Sequence, residues 1–438
     1  MFKFIAIAFV AFMFSMPALS EQKKQEPNFF EEAVHYTVKV KVRVKYPFIK
    51  DKRGSFRGAG FLIDKKLGWI VTNAHVSSRN PESLEVSFKG EAFIDAKLVY
   101  LDHLLDFAIV QVPSKKIPNN GVAAKLDCTS KPIIGSPAGA FGHPFGLNYS
   151  GTRGIISGEK FKWGRLWVQT DAPINSGNSG GPLISLTSGK VVGISSASFS
   201  KRRSEGLGFA VPMTHACRII NFLKRGLDPT PSLIPVGFAY DQEKDDELIV
   251  AKAYKKLPVS WPLKAGDRIV SLSSKPEEKF KNQAELVHAL RGMSGEVKII
   301  VQRDNKKITV PVMIQPRKNL IKRVGLHFSG VVISYDTFKD DEEMNPQGFP
   351  LIEDVARASI ASSAGMGVEK VIVSVDGKPT PPLQALCSYL KDAEKQKRKV
   401  QFLAKEFDWS YLSRTEFTAH KIRIKDVLGS EFPDDHYE

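Results

Sequence analysis

Short strand-like runs divided by turn signals follow one another from Val38 onward, and no strong helical pattern breaks the series until Met213. Val38-Lys39-Val40-Lys41-Val42-Arg43-Val44-Lys45 alternates without a fault, which is the period of a strand with one buried face. Residues 58–64, 68–72, 84–88, 93–100 and 107–112 continue the series. Many short strands at roughly 8–12 residue spacing read as an antiparallel barrel or sandwich. Residues 213–225 put Cys217, Ile219, Ile220, Phe222 and Leu223 on one apolar side, a lone helix that closes the β domain near residue 225. At typical domain sizes, 438 residues make about three domains. A linker with Gly226, Pro229 and Pro231 follows, and after it the chain repeats itself. A small-residue turn, a strand, a helix and two further strands occur in 233–316 and recur in 322–428, with helices at 283–290 and 383–391. Residues 21–36 read as an arm whose Phe29 and Phe30 pack on this fold or on a neighbouring subunit. Residues 429–438 read as a loose tail.

The densest chemistry lies in Gly177-Asn178-Ser179-Gly180-Gly181-Pro182. Glycines without a Cβ let the backbone turn sharply and let a second chain approach. A serine hydroxyl is a weak nucleophile until a base, and a group that orients the base, stand beside it. The amides of Gly177 and Ser179, either side of Asn178, can form an oxyanion hole; losing one such donor costs about 2.7–4 kcal/mol of barrier. His75, in Thr72-Asn73-Ala74-His75-Val76, ends a strand before a polar turn. Asp106 opens an apolar strand, where a buried carboxylate needs a partner, and His75 Nδ1–H is the candidate. Asp102 competes for that role but reads as a turn residue. Asp171 reads as a brace for the serine loop. The order His, Asp, Ser is the chymotrypsin-type order.

Other chemistries find less support. His35, His103, His143, His215, His288, His327, His420 and His436 are scattered without ligand spacing. No metal or nucleotide motif stands out, so no cofactor is expected. The net charge of +16 favours acidic partners or an anionic envelope surface, with a merely solvated basic surface as the alternative. Dispersed basic residues without a motif do not read as nucleic-acid binding. Lys3, the apolar run 4–14 and the small residues Ala18 and Ser20 describe a signal peptide over 1–20, with an uncleaved anchor as the alternative. No later segment is long and apolar enough to span a membrane, so a soluble, exported protein is expected. Cys128, Cys217 and Cys387 allow at most one bridge and read as buried free thiols.

At these motifs the sequence resembles the HtrA/Deg family of exported serine proteases. The resemblance is carried by Thr72-Asn73-Ala74-His75-Val76, Asp106-Phe107-Ala108-Ile109-Val110, Gly142-His143-Pro144-Phe145-Gly146-Leu147, Gly154-Ile155-Ile156-Ser157, Gln169-Thr170-Asp171-Ala172, Gly177-Asn178-Ser179-Gly180-Gly181-Pro182-Leu183 and Gly206-Leu207-Gly208-Phe209-Ala210-Val211-Pro212. It implies a mainly β chain: a chymotrypsin-like double β-barrel protease domain over 37–225, then two PDZ-like α+β modules. It implies an ATP-independent serine endopeptidase acting on misfolded or partly unfolded envelope proteins. Ser179 would attack, His75 would carry the proton and Asp106 would hold the imidazole. The loop 142–148 would help set the oxyanion hole and would be misplaced until a peptide arrives, so peptides would stimulate cleavage.

In trypsin-like enzymes an acid stands six residues before the nucleophile. Pro173 occupies that place, so cleavage after Lys or Arg is not expected. Ile174 with Ser195, Ser196, Ala197 and Ser198 would line a pocket for a modest apolar residue such as Val or Ala. Val236, Gly237 and Phe238, and again Val324, Gly325 and Leu326, would form loops that capture a peptide carboxylate while the peptide adds as a strand. Trp261 and Pro262, Glu369 and Lys370, and the acidic run 340–343 depart from the family pattern, so one groove would be closed or altered. A homotrimer follows from the resemblance, and the short segment 49–57 argues against large cages. Two further readings are a chaperone or peptide sensor, and a narrow regulatory protease.

Overall fold

The structure, a computed structural model, describes residues 28–48, 51–143, 149–162, 164–196, 207–239, 247–254, 259–317, 324–335, 349–406, 417–431 and 435–437. The chain begins with a seven-stranded antiparallel sheet and a closed six-stranded barrel. The sheet starts from the alternating run. In Thr37–Val44, Val38, Val40, Val42 and Val44 are buried. Each such side chain contributes about 1.5–3 kcal/mol when taken from water. The basic residues face outward, where Lys41 meets Glu85 at 2.8 Å and Arg43 meets Glu82 at 2.9 Å. That strand lies between Gly54–Asp64 and Ser83–Ser87. The barrel runs through Arg165–Thr170, Gly208–Pro212, Val191–Ser196, Pro182–Ser185, Pro137–Gly142 and Ser150–Lys162.

The described part of the arm, 28–36, packs on its own fold. Phe29–Tyr36 is a helix, and the Phe30 ring stacks on Phe141 at 5.6 Å. The closing helix, Met213–Lys224, buries Met213, Ala216, Cys217, Ile219 and Ile220. Cys217 is not a free thiol. It is bonded to Cys128 across 89 residues, which corrects the expectation for two of the three cysteines; Cys387 is free and buried. Nothing local marks such a pair in sequence, because folding brings the loop at 128 against the helix.

Two further sheets follow. The first holds Val236–Phe238, Leu248–Ala253, Arg268–Leu272, Gly295–Arg303 and Lys306–Ile314 in that order. The helix Gln283–Leu290 belongs to this unit, and the Asn282 side chain caps it by accepting from the Glu285 N–H. Trp261, unexpected at its position, is buried in this core and donates Nε1–H to the Met313 carbonyl at 3.0 Å. The second sheet has nine strands and the helix Leu383–Lys395. The tail expected to be loose instead forms the strands Leu428–Glu431 and Asp435–Tyr437 at the edge of this sheet. The acidic run 340–343 lies outside the described residues.

The first of these units is fastened to the preceding sheet and barrel by a buried charge cluster. Asp102 and Arg291, 0% and 1% exposed, pair at 2.5 Å. Arg291 also donates to the Pro229 carbonyl at 2.7 Å and to His288 Nδ1 at 3.2 Å. His215 on the closing helix and His288 have ring centroids 4.0 Å apart, so two of the scattered histidines are brought together by the fold. Burial, with Arg291 and other cations nearby, pulls His215 down to about 4. Burial, with His215 and Arg291, pulls His288 well below its ordinary value.

Candidate active site

His75 sits in the helical turn Ala74–Ser77, directly after the strand Trp69–Thr72. Asp106 precedes the strand Phe107–Gln111, which pairs with Trp69–Thr72. This pairing puts the histidine and the carboxylate at the same end of two adjacent strands. His75 Nδ1 lies 2.9 Å from Asp106 Oδ2 and 3.0 Å from Oδ1, and the His75 backbone N–H donates to Oδ1 at 3.1 Å. Ser196 Oγ donates to Oδ2 at 3.0 Å. Asn73 Nδ2 donates to the Asp106 carbonyl at 2.9 Å, pinning a residue whose φ is +59°. An L-residue is uncommon in that left-handed region, so the surrounding bonds hold Asp106 in a conformation it would not choose alone.

The electrostatics follow from this geometry. Burial by itself pushes the Asp106 carboxyl up, but the His75 charge and hydrogen bonds bring it below its ordinary value. Burial pulls His75 down, and the Asp106 charge and hydrogen bond outweigh it, so the imidazole ends above its ordinary value. The His75 side chain stays 45% exposed, so the ring is open to solvent on the side away from Asp106.

Ser179 lies in the turn 176–180 ahead of the strand Pro182–Ser185. Several bonds tie this turn to the histidine side. The Ala59 N–H donates to the Ser179 carbonyl at 2.8 Å, and Thr72 Oγ1 donates to the Ala59 carbonyl at 2.8 Å. A Cβ on Gly58 would fall 2.6 Å from Val76 Cγ1 and 3.0 Å from the Ser179 carbonyl oxygen, so the neighbour of His75 and the serine share one wall. Gly180 has φ +86°, and a Cβ there would lie 2.1 Å from the Ala59 carbonyl oxygen and 2.3 Å from Thr72 Oγ1. Only glycine fits a turn pressed this closely onto the strand that leads to His75. Gly180 N–H in turn donates to the Ser195 carbonyl at 2.8 Å, beside the Ser196 that holds Asp106.

Gly177, φ +105°, carries the turn into Asn178, whose N–H closes onto the Asn175 carbonyl at 2.9 Å. No carbonyl of the described residues accepts from the Gly177 N–H. The Gly177 carbonyl accepts from the His143 N–H at 3.3 Å, so the strand end at 142–143 is fastened to the turn that carries Ser179. Residues 144–148, on which the expectation of a displaced loop falls, lie outside the described residues. Asp171 braces the loop as read from sequence, its Oδ1 accepting from the Ile155 N–H at 2.6 Å. Asp102, the competing acid, faces Arg291 and not His75.

Of the pocket candidates, Ile174 is half-buried against the barrel core. Ser195 and Ser196 are buried, and Ser196 turns its hydroxyl to Asp106. Ala197 and Ser198 lie outside the described residues. Sequence reasoning missed the bonds from Ser196 and Asn73. The position of Asn73 two residues before His75 is the one available signal. Val236, Gly237 and Phe238 form an edge strand of their sheet. Val324, Gly325 and Leu326 begin a strand that is flanked on both sides. Among the described residues no group of His, Cys, Asp and Glu could hold a metal ion, and no helix is long and apolar enough to cross a membrane.

Residues 58–194 match the family model of the trypsin-like peptidase domain. The chain is 29% identical over 341 residues to the periplasmic pH-dependent serine endoprotease DegQ of Escherichia coli (strain K12), covering 73% of this chain and 72% of that protein. It is 28% identical over 368 residues to a probable periplasmic serine endoprotease, DegP-like, of Chlamydia pneumoniae, covering 78% and 72%. Among solved structures, the HtrA-type protease AlgW with tripeptide superposes with a TM-score of 0.53 at 23% identity, covering 66% of this chain and 97% of that one, a likeness of fold.

Proposed function

We propose that this chain, a serine endopeptidase with a trypsin-like peptidase domain that resembles HtrA/Deg-type proteases, degrades misfolded or partly unfolded envelope proteins without ATP, through an acyl-enzyme on Ser179. Ser179 Oγ attacks the peptide carbonyl while His75 Nε2 takes its proton. The tetrahedral oxyanion settles between the amides of Gly177 and Ser179, with Asn178 setting their spacing. His75 then gives the proton to the leaving amine, the C–N bond breaks, and water repeats the sequence to free the acid. Asp106 holds the proton on Nδ1, leaving Nε2 as the base, and stabilises the imidazolium. The observation that carries this reading is the His75–Asp106 pair, braced by Asn73 and Ser196 and joined to the Ser179 turn through Ala59.

Export of the chain is supported by the leader-like residues 1–20 and by the periplasmic relatives. Assembly as a homotrimer rests on the family resemblance alone. Residues 233–316 and 322–428 act as PDZ-like modules; a sheet with a flanking helix in each supports this. With Pro173 in place of a pocket acid, Ile174 favours a modest apolar residue before the cut. Digestion of casein beside a Ser179→Ala chain, with sequencing of product ends, tests the reading. Cuts after Val or Ala made only by the unaltered chain are expected. Cuts made equally by both chains, or cuts after Lys and Arg, would overturn it.

A further inference from the structure

The strand Val324–Phe328 has a neighbour on each side. Val331–Ser334 pairs with one edge. The chain's own Leu428–Glu431 pairs antiparallel with the other, with Val324 opposite Glu431, Gly325 opposite Ser430, Leu326 opposite Gly429 and His327 opposite Leu428. The helix Leu383–Lys395 packs against both of these strands. A peptide adding to this sheet beside the helix would need the edge that Leu428–Glu431 already fills. The edge Val236–Phe238 of the preceding unit has no such cover: its strand pairs with Leu248–Ala253 alone among the described residues.

The segment is clamped on its way in. Ser329 Oγ accepts from the Lys425 N–H at 3.0 Å and donates to the Arg423 carbonyl at 2.8 Å. Asp426, with φ +54°, makes the bend. The Glu394 carboxylate, on the flanking helix, accepts from the Asp426 and Val427 backbone N–H groups. His327 Nδ1 meets the Asp426 carbonyl at 3.0 Å. Val427 packs against the apolar core of the unit, and Gly429 is buried. The occupant is an internal strand, because the chain runs on to Asp435–Tyr437, which pairs back on it. No terminal carboxylate is needed at Val324.

We infer that the groove between Val324–Phe328 and the helix Leu383–Lys395 is a strand-binding site whose resident ligand is this chain's own segment 428–431. The second PDZ-like unit is thereby closed to clients, and peptide capture falls to the first. This inference rests on the PDZ-like reading of that unit. Its ligand class is an extended internal strand with small residues at Gly429 and Ser430, recognised through backbone hydrogen bonds and not through a chain end.

The test uses a peptide of residues 426–438, with free or amidated C-terminus, offered to the full chain and to a chain ending at Lys425. Occupancy is read at 324–328 by amide protection, so that free-acid peptide taken at 236–238 is not counted; there the shortened chain binds both forms equally. The full chain binds them on the order of 100-fold more weakly, because its tethered segment competes at high effective concentration. A folded shortened chain that binds neither form overturns the inference, as does a full chain that binds as tightly. Binding of the free-acid form alone also overturns it, since the site would then read a carboxylate.

If the shortened chain loses the cooperative unfolding of this unit, hydrogen exchange on the intact protein decides. Backbone amides of 324–328 and 428–431 exchange slowly, and Glu394→Ala speeds them at least about tenfold while 399–406 keeps its protection. Rapid exchange of 428–431 in the unaltered chain overturns the inference. Failure of the PDZ-like reading is seen separately, as a failure of the full chain to take any free-acid peptide at 236–238.

Discussion

Removing the Arg291 guanidinium puts the sharpest demand on the inter-unit arrangement. Asp102 and Arg291 are fully buried and 2.5 Å apart, a close ion pair across the junction of the protease-like part and the first of the two following units. Arg291→Met leaves the Asp102 carboxylate buried without its paired guanidinium, accepting from the Leu105 N–H at 3.0 Å and with the half-buried Arg165 as a more distant cation. Breaking a buried pair from one side costs about 3–5 kcal/mol. The cost has a ceiling here that a core pair would not have. The units can part, letting water reach Asp102, so the loss appears as undocking before unfolding. At about 1.4 kcal/mol per tenfold, the docked population should fall by a factor on the order of 10² to 10³. Hydrogen exchange across 284–291 and proteolysis of the linker 226–234 read that population directly. Asp102→Asn combined with Arg291→Met should regain most of it, because no unpaired charge remains. Unchanged exchange at 284–291 in the single variant would refute the reasoning.

Four further outcomes follow from the same structure. Cys128→Ser with Cys217→Ser frees a loop of 89 residues and should cost about 4–5 kcal/mol on the chain-entropy model; denaturant midpoints with and without reductant check this, and equal midpoints would contradict it. His215 is held at about 4, below its unfolded value, so its contribution is complete above about 6.5 and is lost as pH falls toward 4. A loss of about 3 kcal/mol on acidification is expected in melting experiments, and His215→Phe should flatten the profile. Asp106→Asn should lower turnover by about 10⁴-fold by favouring the wrong imidazole tautomer. In the unaltered chain, the rising limb of the pH profile should lie above the ordinary imidazole range, because His75 is raised and must be neutral to act.

Much of the site was legible in the sequence, because its chemistry is carried by contiguous runs. Thr72 to His75, Asp106 to Val110 and Gly177 to Pro182 each pair a candidate catalytic residue with the strand or turn that aims it. The sheet around Val38–Val44 was legible for a similar reason, since a period of two is a local property. What escaped is what only packing creates. Cys128 finds Cys217, Asp102 finds Arg291, and Ser196, a pocket-lining candidate by sequence, turns to Asp106. The tail escaped for another reason. Leu428-Gly429-Ser430-Glu431 has little strand propensity of its own, and its conformation is imposed by the edge of Val324–Phe328.

The central claim is that one hydroxyl, at Ser179, forms the covalent intermediate with His75 as its base. Labelling the folded chain with a fluorophosphonate, and locating the adduct by peptide mass mapping, tests it most directly. The account predicts one adduct, on Ser179, abolished by His75→Ala, with casein turnover by Ser179→Ala reduced roughly 10⁴–10⁶-fold. An adduct on another residue, or undiminished turnover by Ser179→Ala, would contradict it.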